Sequence, residues 1–199
     1  MKRWSFVLLI FSFAILFGCE SKNETAQQPQ ADSKPAAAPA PEAAPVITAS
    51  DQSSSITGEG GWKAASGLHP KAQLQATNSY GDMYLVVFSE KKDRYSGVTL
   101  DDYSEVTRGH ILKTLTNPSI TADHQVTIDG NPGLQHEIHG YAKNAKIAYI
   151  HTVVETPVYF HEIIVWTPDD RFQRNHFALE TAINSFKEPK QDAAASKGK

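Results

Sequence analysis

The sequence predicts an α+β domain, one antiparallel sheet sandwiched by helices (α-β-α), in the order β-β-α-β-β-β-β-α. Three observations carry this. Residues 60–188 alternate between runs of period two and two segments with a period near that of a helix. The β-prone runs are separated by tight turn sequences, which favours sequential antiparallel pairing. In places both alternations are apolar, Ile147, Tyr149 and Val153 against Ala148, Ile150 and Val154, so both faces of the sheet need a cover.

Each element follows from its local chemistry. "AQLQAT" alternates, "NSYGD" turns and "MYLVVFSE" is strongly β-prone, which makes an opening hairpin. Thr99 caps "LDDYSEVTRGHILKTL", with Asp102 three residues on in the capping-box position. Leu100, Tyr103, Thr107, Ile111 and Leu115 share one face of that helix, and Asn117-Pro118 ends it. Four strands follow: "SITADHQVTID", "GLQHEIHGYA", "AKIAYIHTVVE" and "VYFHEIIVWT". Their turns are Asp129-Gly130-Asn131-Pro132, Lys143-Asn144 and Thr156-Pro157. Thr167-Pro168-Asp169-Asp170 reads as the start of a second helix, with a cap, proline at the first position and acid in the first turn. Its buried face is Phe172, His176, Leu179, Ile183 and Phe186.

The ends of the chain carry a different message. Lys2 and Arg3 precede an apolar run from Trp4 to Phe17, too short for a membrane span of about 20 residues. A positive start, a short apolar core and small residues at its end describe a secretory signal over residues 1–18. The chain's single cysteine, Cys19, follows at once. Residues 19–59 are rich in Ala, Pro, Gln and Ser, cannot offset their ordering entropy, and read as a disordered linker. Residues 189–199 read as a polar tail. The net charge of −3 and the lack of a basic stripe argue against nucleic acid as a partner.

Leu16-Phe17-Gly18-Cys19 resembles the lipobox of bacterial lipoproteins, in which cleavage between Gly18 and Cys19 frees a thiol that carries a diacylglycerol. Phe17 is bulkier than the usual residue there. By the sorting pattern of such proteins, Glu20 implies the outer membrane rather than the inner one, with the domain facing the periplasm. The element order, together with "VTIDGNPGLQHEI" and "YIHTVVETPVYFHEIIVWT", resembles the PsbP-like family and in particular DcrB-type bacterial lipoproteins. That resemblance implies an accessory, partner-binding protein without chemistry or cofactor of its own. It supplies no catalytic motif to carry over.

The residues themselves offer little catalysis: there is no GxSxG, HExxH, CxxC or kinase-type loop. In "HEIH", His136 and His139 point to opposite faces of a strand and cannot chelate together. Two-residue turns at Lys143-Asn144 and Thr156-Pro157 would set His136 opposite His151 and His151 opposite Glu162. The flanking rows would be Leu134, Val153, Phe160 and Ile138, Tyr149, Ile164. Such a polar row in an apolar face is a hydrogen-bonded structural row, a metal site, or a ligand or pH-sensing site. A one-residue slip would scatter it. The tyrosines, with Trp62 and Trp166, are packing residues or the lining of an aromatic pocket. His69, His110 and His124 have no partner that the sequence identifies. The expectation is a lipid-anchored, non-catalytic envelope protein that binds a protein or envelope partner. Metal or small-ligand capture at His136, His151 and Glu162 is the alternative, and an enzyme is the third.

Overall fold

The computed structural model describes residues 43–189. The signal, the Gly18-Cys19 site, the first part of the linker and nearly all of the tail lie outside the described residues.

Two short strands open the described chain, β1 (Val46–Thr48) and β2 (Ser55–Thr57), with Ile47 opposite Ile56. This corrects the expected linker over 19–59 and the domain start at Gly60. Each strand offers one isoleucine among linker-like residues, too little to register as a pattern. Ile47 and Ile56 nonetheless join the main core. Ser55 and Lys187 exchange two backbone hydrogen bonds of 2.9 Å, which tie this piece to the far end of the chain.

The main sheet contains β3 (Lys63–Ala64), β4 (Leu74–Asn78), β5 (Met83–Lys91), β6 (Thr116–Ile120), β7 (His124–Ile128), β8 (Asn131–Ala142), β9 (Ala145–Glu155) and β10 (Tyr159–Pro168). All neighbours pair antiparallel, in the order β3-β4-β5-β10-β9-β8-β6, and β7 also pairs with β8. The expected opening hairpin is β4–β5. The expected strand "SITADHQVTID" divides in two, because β6 and β7 pair with successive stretches of β8 and part at residues 121–123. Asp129 and Gly130 make the β7–β8 turn with φ of 52° and 78°, a backbone that the Asp-Gly pair accepts.

Helix α1 (Leu100–Thr114) begins as the sequence predicts. Thr99 Oγ1 accepts from Asp102 N at 3.2 Å, and Asp102 Oδ2 accepts from Thr99 N at 3.0 Å. The Thr99 hydroxyl, which donates to Asp102 Oδ2 at 2.7 Å, and then the Thr99 N–H hold the Asp102 carboxyl below its ordinary value. Tyr103, Thr107, Ile111 and Leu115 are buried as expected, and Ser104 joins them.

Helix α2 (Phe172–Asn184) starts later than predicted. Thr167 and Pro168 finish β10, and Asp169–Arg171 form a separate 3₁₀ turn. Thr167 serves the tertiary structure instead of capping: Asn175 Nδ2 donates to its hydroxyl at 2.8 Å. Asp169 is held by Lys146 at 2.8 Å and His139 at 2.6 Å, which lowers its carboxyl. Phe172, Leu179, Ile183 and Phe186 are buried as predicted. His176 is only half-buried, and its Nε2 pairs with Glu137 Oε1 at 3.0 Å.

Candidate functional site

The two faces of the sheet are closed to different degrees, and the difference makes the site. Under α2, Leu85, Val87, Ile150, Val154, Ile163 and Val165 merge with Phe172, Leu179, Ile183 and Phe186 into one core. Under α1 the apolar packing splits in two. Tyr103, Val153 and Phe160 form one cluster, and Ile111, Leu115 and Ile138 another. The row between them holds His136 and His151.

The β8–β9 register is the predicted one: Ala142 faces Ala145 and His136 faces His151. The β9–β10 register is not. Glu155 pairs with Phe160, so Ile164 stands opposite His151, and Glu162 stands opposite Val153. The turn is longer than two residues because Thr156 N donates to Tyr159 O at 2.9 Å and Tyr159 N donates to Thr156 Oγ1 at 2.8 Å. A shift of two preserves the face, so Glu162 remains a diagonal neighbour of His151. The expected flanking rows change with it, to Leu134–Val153–Glu162 and Ile138–Tyr149–Trp166.

The hydrogen bonds assign the protons. An ionised Glu162 only accepts, so His151 Nε2–H donates to Glu162 Oε1 at 3.1 Å, and also lies 3.1 Å from Thr107 Oγ1. Arg108 only donates, so the lone pair of His136 Nε2 faces Arg108 Nη1 at 3.4 Å and Ser104 Oγ at 3.2 Å. His136 Nδ1 makes no hydrogen bond and lies 3.4 Å from Asp123 Oδ1. Both rings are almost wholly buried and stack at 5.9 Å between centroids. Burial first, then His151 and Arg108, pull His136 down to about 4. Among the described residues, no set of three His, Cys, Asp or Glu side chains is disposed to hold a metal ion. The guanidinium of Arg108 already supplies a cation at His136.

Beside this row lies a groove of about 820 Å³. Its floor is the exposed part of the α1 face: Val86 and Phe88 from β5, Glu162, Ile164 and Trp166 from β10, and Tyr149 from β9. One wall is α1, through Tyr103, Val106, Thr107 and His110, and the other is the segment Leu68–Lys71. His69 meets Phe88 edge-on at 4.9 Å. Glu162 is 9% exposed and reaches the groove; burial and this carboxylate push the Tyr103 phenol above its ordinary range. Of the aromatics singled out in the sequence, Tyr95, Tyr103, Tyr149 and Trp166 line the groove. Trp62 is in the main core, and Tyr80 and Tyr141 are exposed. The β5 contribution escapes sequence reasoning, since β5 and β10 meet across some seventy residues of chain, as Ser89 and His161 do.

A Ser–His–Glu arrangement also emerges that no sequence motif announces. Ser89 Oγ donates to His161 Nδ1 at 2.9 Å, and His161 Nε2 donates to Glu188 Oε2 at 3.0 Å. The residue types suit nucleophilic catalysis, but His161 is 0% exposed and Ser89 sits in mid-strand, its N–H committed to Gln73 Oε1. The groove does not reach it. Its evident work is to fasten the C-terminal segment to the sheet. A further cavity of about 520 Å³ opens where β6 gives way to β7, beside Asp123, His124, His136, Glu137, His176 and Glu180.

No protein-family model and no curated protein matches this sequence. Solved structures do match its fold. The cyanobacterial PsbP protein CyanoP of Synechocystis aligns with a TM-score of 0.55 at 12% identity, over 79% of this chain and 99% of that one. LpqN of Mycobacterium tuberculosis, a protein involved in cell envelope biogenesis, aligns with a TM-score of 0.54 at 12% identity, over 67% and 82%. The Saccharomyces cerevisiae Ran-binding protein Mog1p gives 0.50 at 12% identity, over 73% and 95%. At such identities the likeness concerns the fold. The chain has the PsbP-like fold, an antiparallel sheet with a helix on each face.

Proposed function

We propose that this chain is a lipid-anchored, non-catalytic accessory protein of the cell envelope, of the DcrB type, whose α1 groove binds an envelope partner. The observation that carries the reading is the asymmetry of the sheet: one face sealed by α2, the other left open along β5 and β10. A domain of this size has little reason to leave Phe88, Ile164 and Trp166 half-exposed side by side unless something covers them. The lipobox supports an anchor at Cys19, and Glu20 supports the outer membrane, with the domain in the periplasm. The role of LpqN in envelope biogenesis agrees with the same setting. The mechanism is positional: a lipid fixes the base, residues 20–42 set the reach, and the local concentration of the groove near the membrane rises without new contacts.

The test places a photo-crosslinking residue at Val106 on the groove rim, or at Phe177 on the outer side of α2, in intact cells. Both positions are open, at 59% and 82% exposure. A recurring envelope adduct at Val106 and not at Phe177 is expected, together with acyl labelling that disappears in Cys19→Ser. Equal capture at both positions, or an unacylated, freely soluble chain, overturns the proposal.

A further inference from the structure

The groove has a chemical preference as well as a shape. Its volume falls in the range of small-molecule sites, about 300–1,000 Å³, and its composition matches theirs: apolar and aromatic walls with few polar groups. Among those polar groups Glu162 is singular. It is nine-tenths buried, on the floor between Phe88 and Val153. Among the described residues its side-chain partner is His151, through Nε2 at 3.1 Å, and no lysine or arginine pairs with it. His151 engages Oε1 and leaves Oε2 without a protein donor among the described residues.

The other charged groups around the groove are Glu90, Asp102 and Lys71. Asp102 is occupied by the α1 cap, and Glu90 lies 3.4 Å from Arg94. A buried carboxylate without a full counter-charge is costly unless a cation joins it. Phe88 stands directly opposite Glu162 on β5, and the face of an aromatic ring attracts a cationic group.

We infer that the groove binds a small amphiphilic cation, with its ammonium or guanidinium head on Glu162 Oε2 and its apolar body along Phe88, Ile164 and Trp166. His151 then acts as a positioning residue: its N–H fixes the carboxylate and aims the free oxygen outward. This inference rests on the reading that the α1 groove is the binding face.

The test uses three probes of one length: n-octylammonium, n-octanol and n-octanoate. Binding is read from tryptophan fluorescence in the full chain carrying Cys19→Ser and Trp4→Phe, which leaves Trp62 in the core and Trp166 in the groove. Octylammonium is expected to bind about tenfold more tightly than octanol, the worth of one charge-assisted hydrogen bond, and octanoate more weakly than octanol. Glu162→Gln keeps an acceptor for His151 and should reduce octylammonium to the octanol level, with octanol binding unchanged. Octanol binding by the variant also certifies its fold. Equal binding of all three probes overturns the cation preference and leaves the groove standing. A preference that survives Glu162→Gln overturns the assignment to this carboxylate. Failure of every probe overturns the groove reading and the inference together.

Discussion

The face of the sheet under α2 and the face under α1 use alternate residues of the same strands, yet they are built to different ends. Under α2 the apolar side chains form one continuous core, most of them fully buried, and the polar residues at its margins (Gln135 with Thr152, Ser89 with His161, Asn175 with Thr167) are hydrogen-bonded to one another. Under α1, His136 and His151 divide the packing into two small clusters, and the β5–β10 half lies open as a groove. The continuous core supplies stability, since each buried apolar side chain adds about 1.5–3 kcal/mol. The interrupted face gives up some of that and gains a buried carboxylate held at a fixed place.

The sharpest way to break this comparison is to cut into the sealed face. Leu179→Ala leaves a cavity beneath α2 and should cost about 2–5 kcal/mol in urea unfolding. A cost below about 1 kcal/mol would mean that the α2 face is not the stabilising one.

A second measurement addresses the polar row. His136 sits at about 4 in the folded protein against an ordinary value of 6.5. The unfolded chain therefore binds a proton between those values that the folded one refuses. The contribution of His136 is complete above about pH 6.5 and is lost as pH falls toward 4. His161, lowered chiefly by burial on the other face, acts in the same direction. Between pH 7 and pH 4 the wild type should lose on the order of 3 kcal/mol more stability than His136→Leu. Parallel pH profiles for the two proteins would show that the row does not titrate against folding.

The smallest effect is the third. Val106→Ser, on the open rim, should change stability by no more than about 0.5 kcal/mol. A larger loss would mean that the rim supports the fold and that the open face is not free for a ligand.

How much of this was legible follows from where each signal resides. The α1 cap could be read because Thr99 and Asp102 are three residues apart and complete their bonds locally. The His136–His151 pair could be read because a two-residue turn at Lys143-Asn144 fixes the β8–β9 register. The β9–β10 register could not, since Thr156 folds the turn back on itself through hydrogen bonds that composition does not reveal. Thr167-Pro168-Asp169 looked like a helix start, but the pairing of Thr167 with Ala148 and Pro168 with Ile147 kept the strand going. The first two strands were missed because Ile47 and Ile56 gain their burial from residues far along the chain.

By itself the sequence determined the fold class, the α1 cap and the register of β8 and β9. These depend on period, turn chemistry and neighbours a few residues apart. Only the tertiary structure decided that β5 lies against β10, which creates the groove, turns Glu162 into its floor, and brings Ser89, His161 and Glu188 together. The physical reason is that long-range pairing is chosen by the total burial of the whole sheet, a quantity no short window of residues contains.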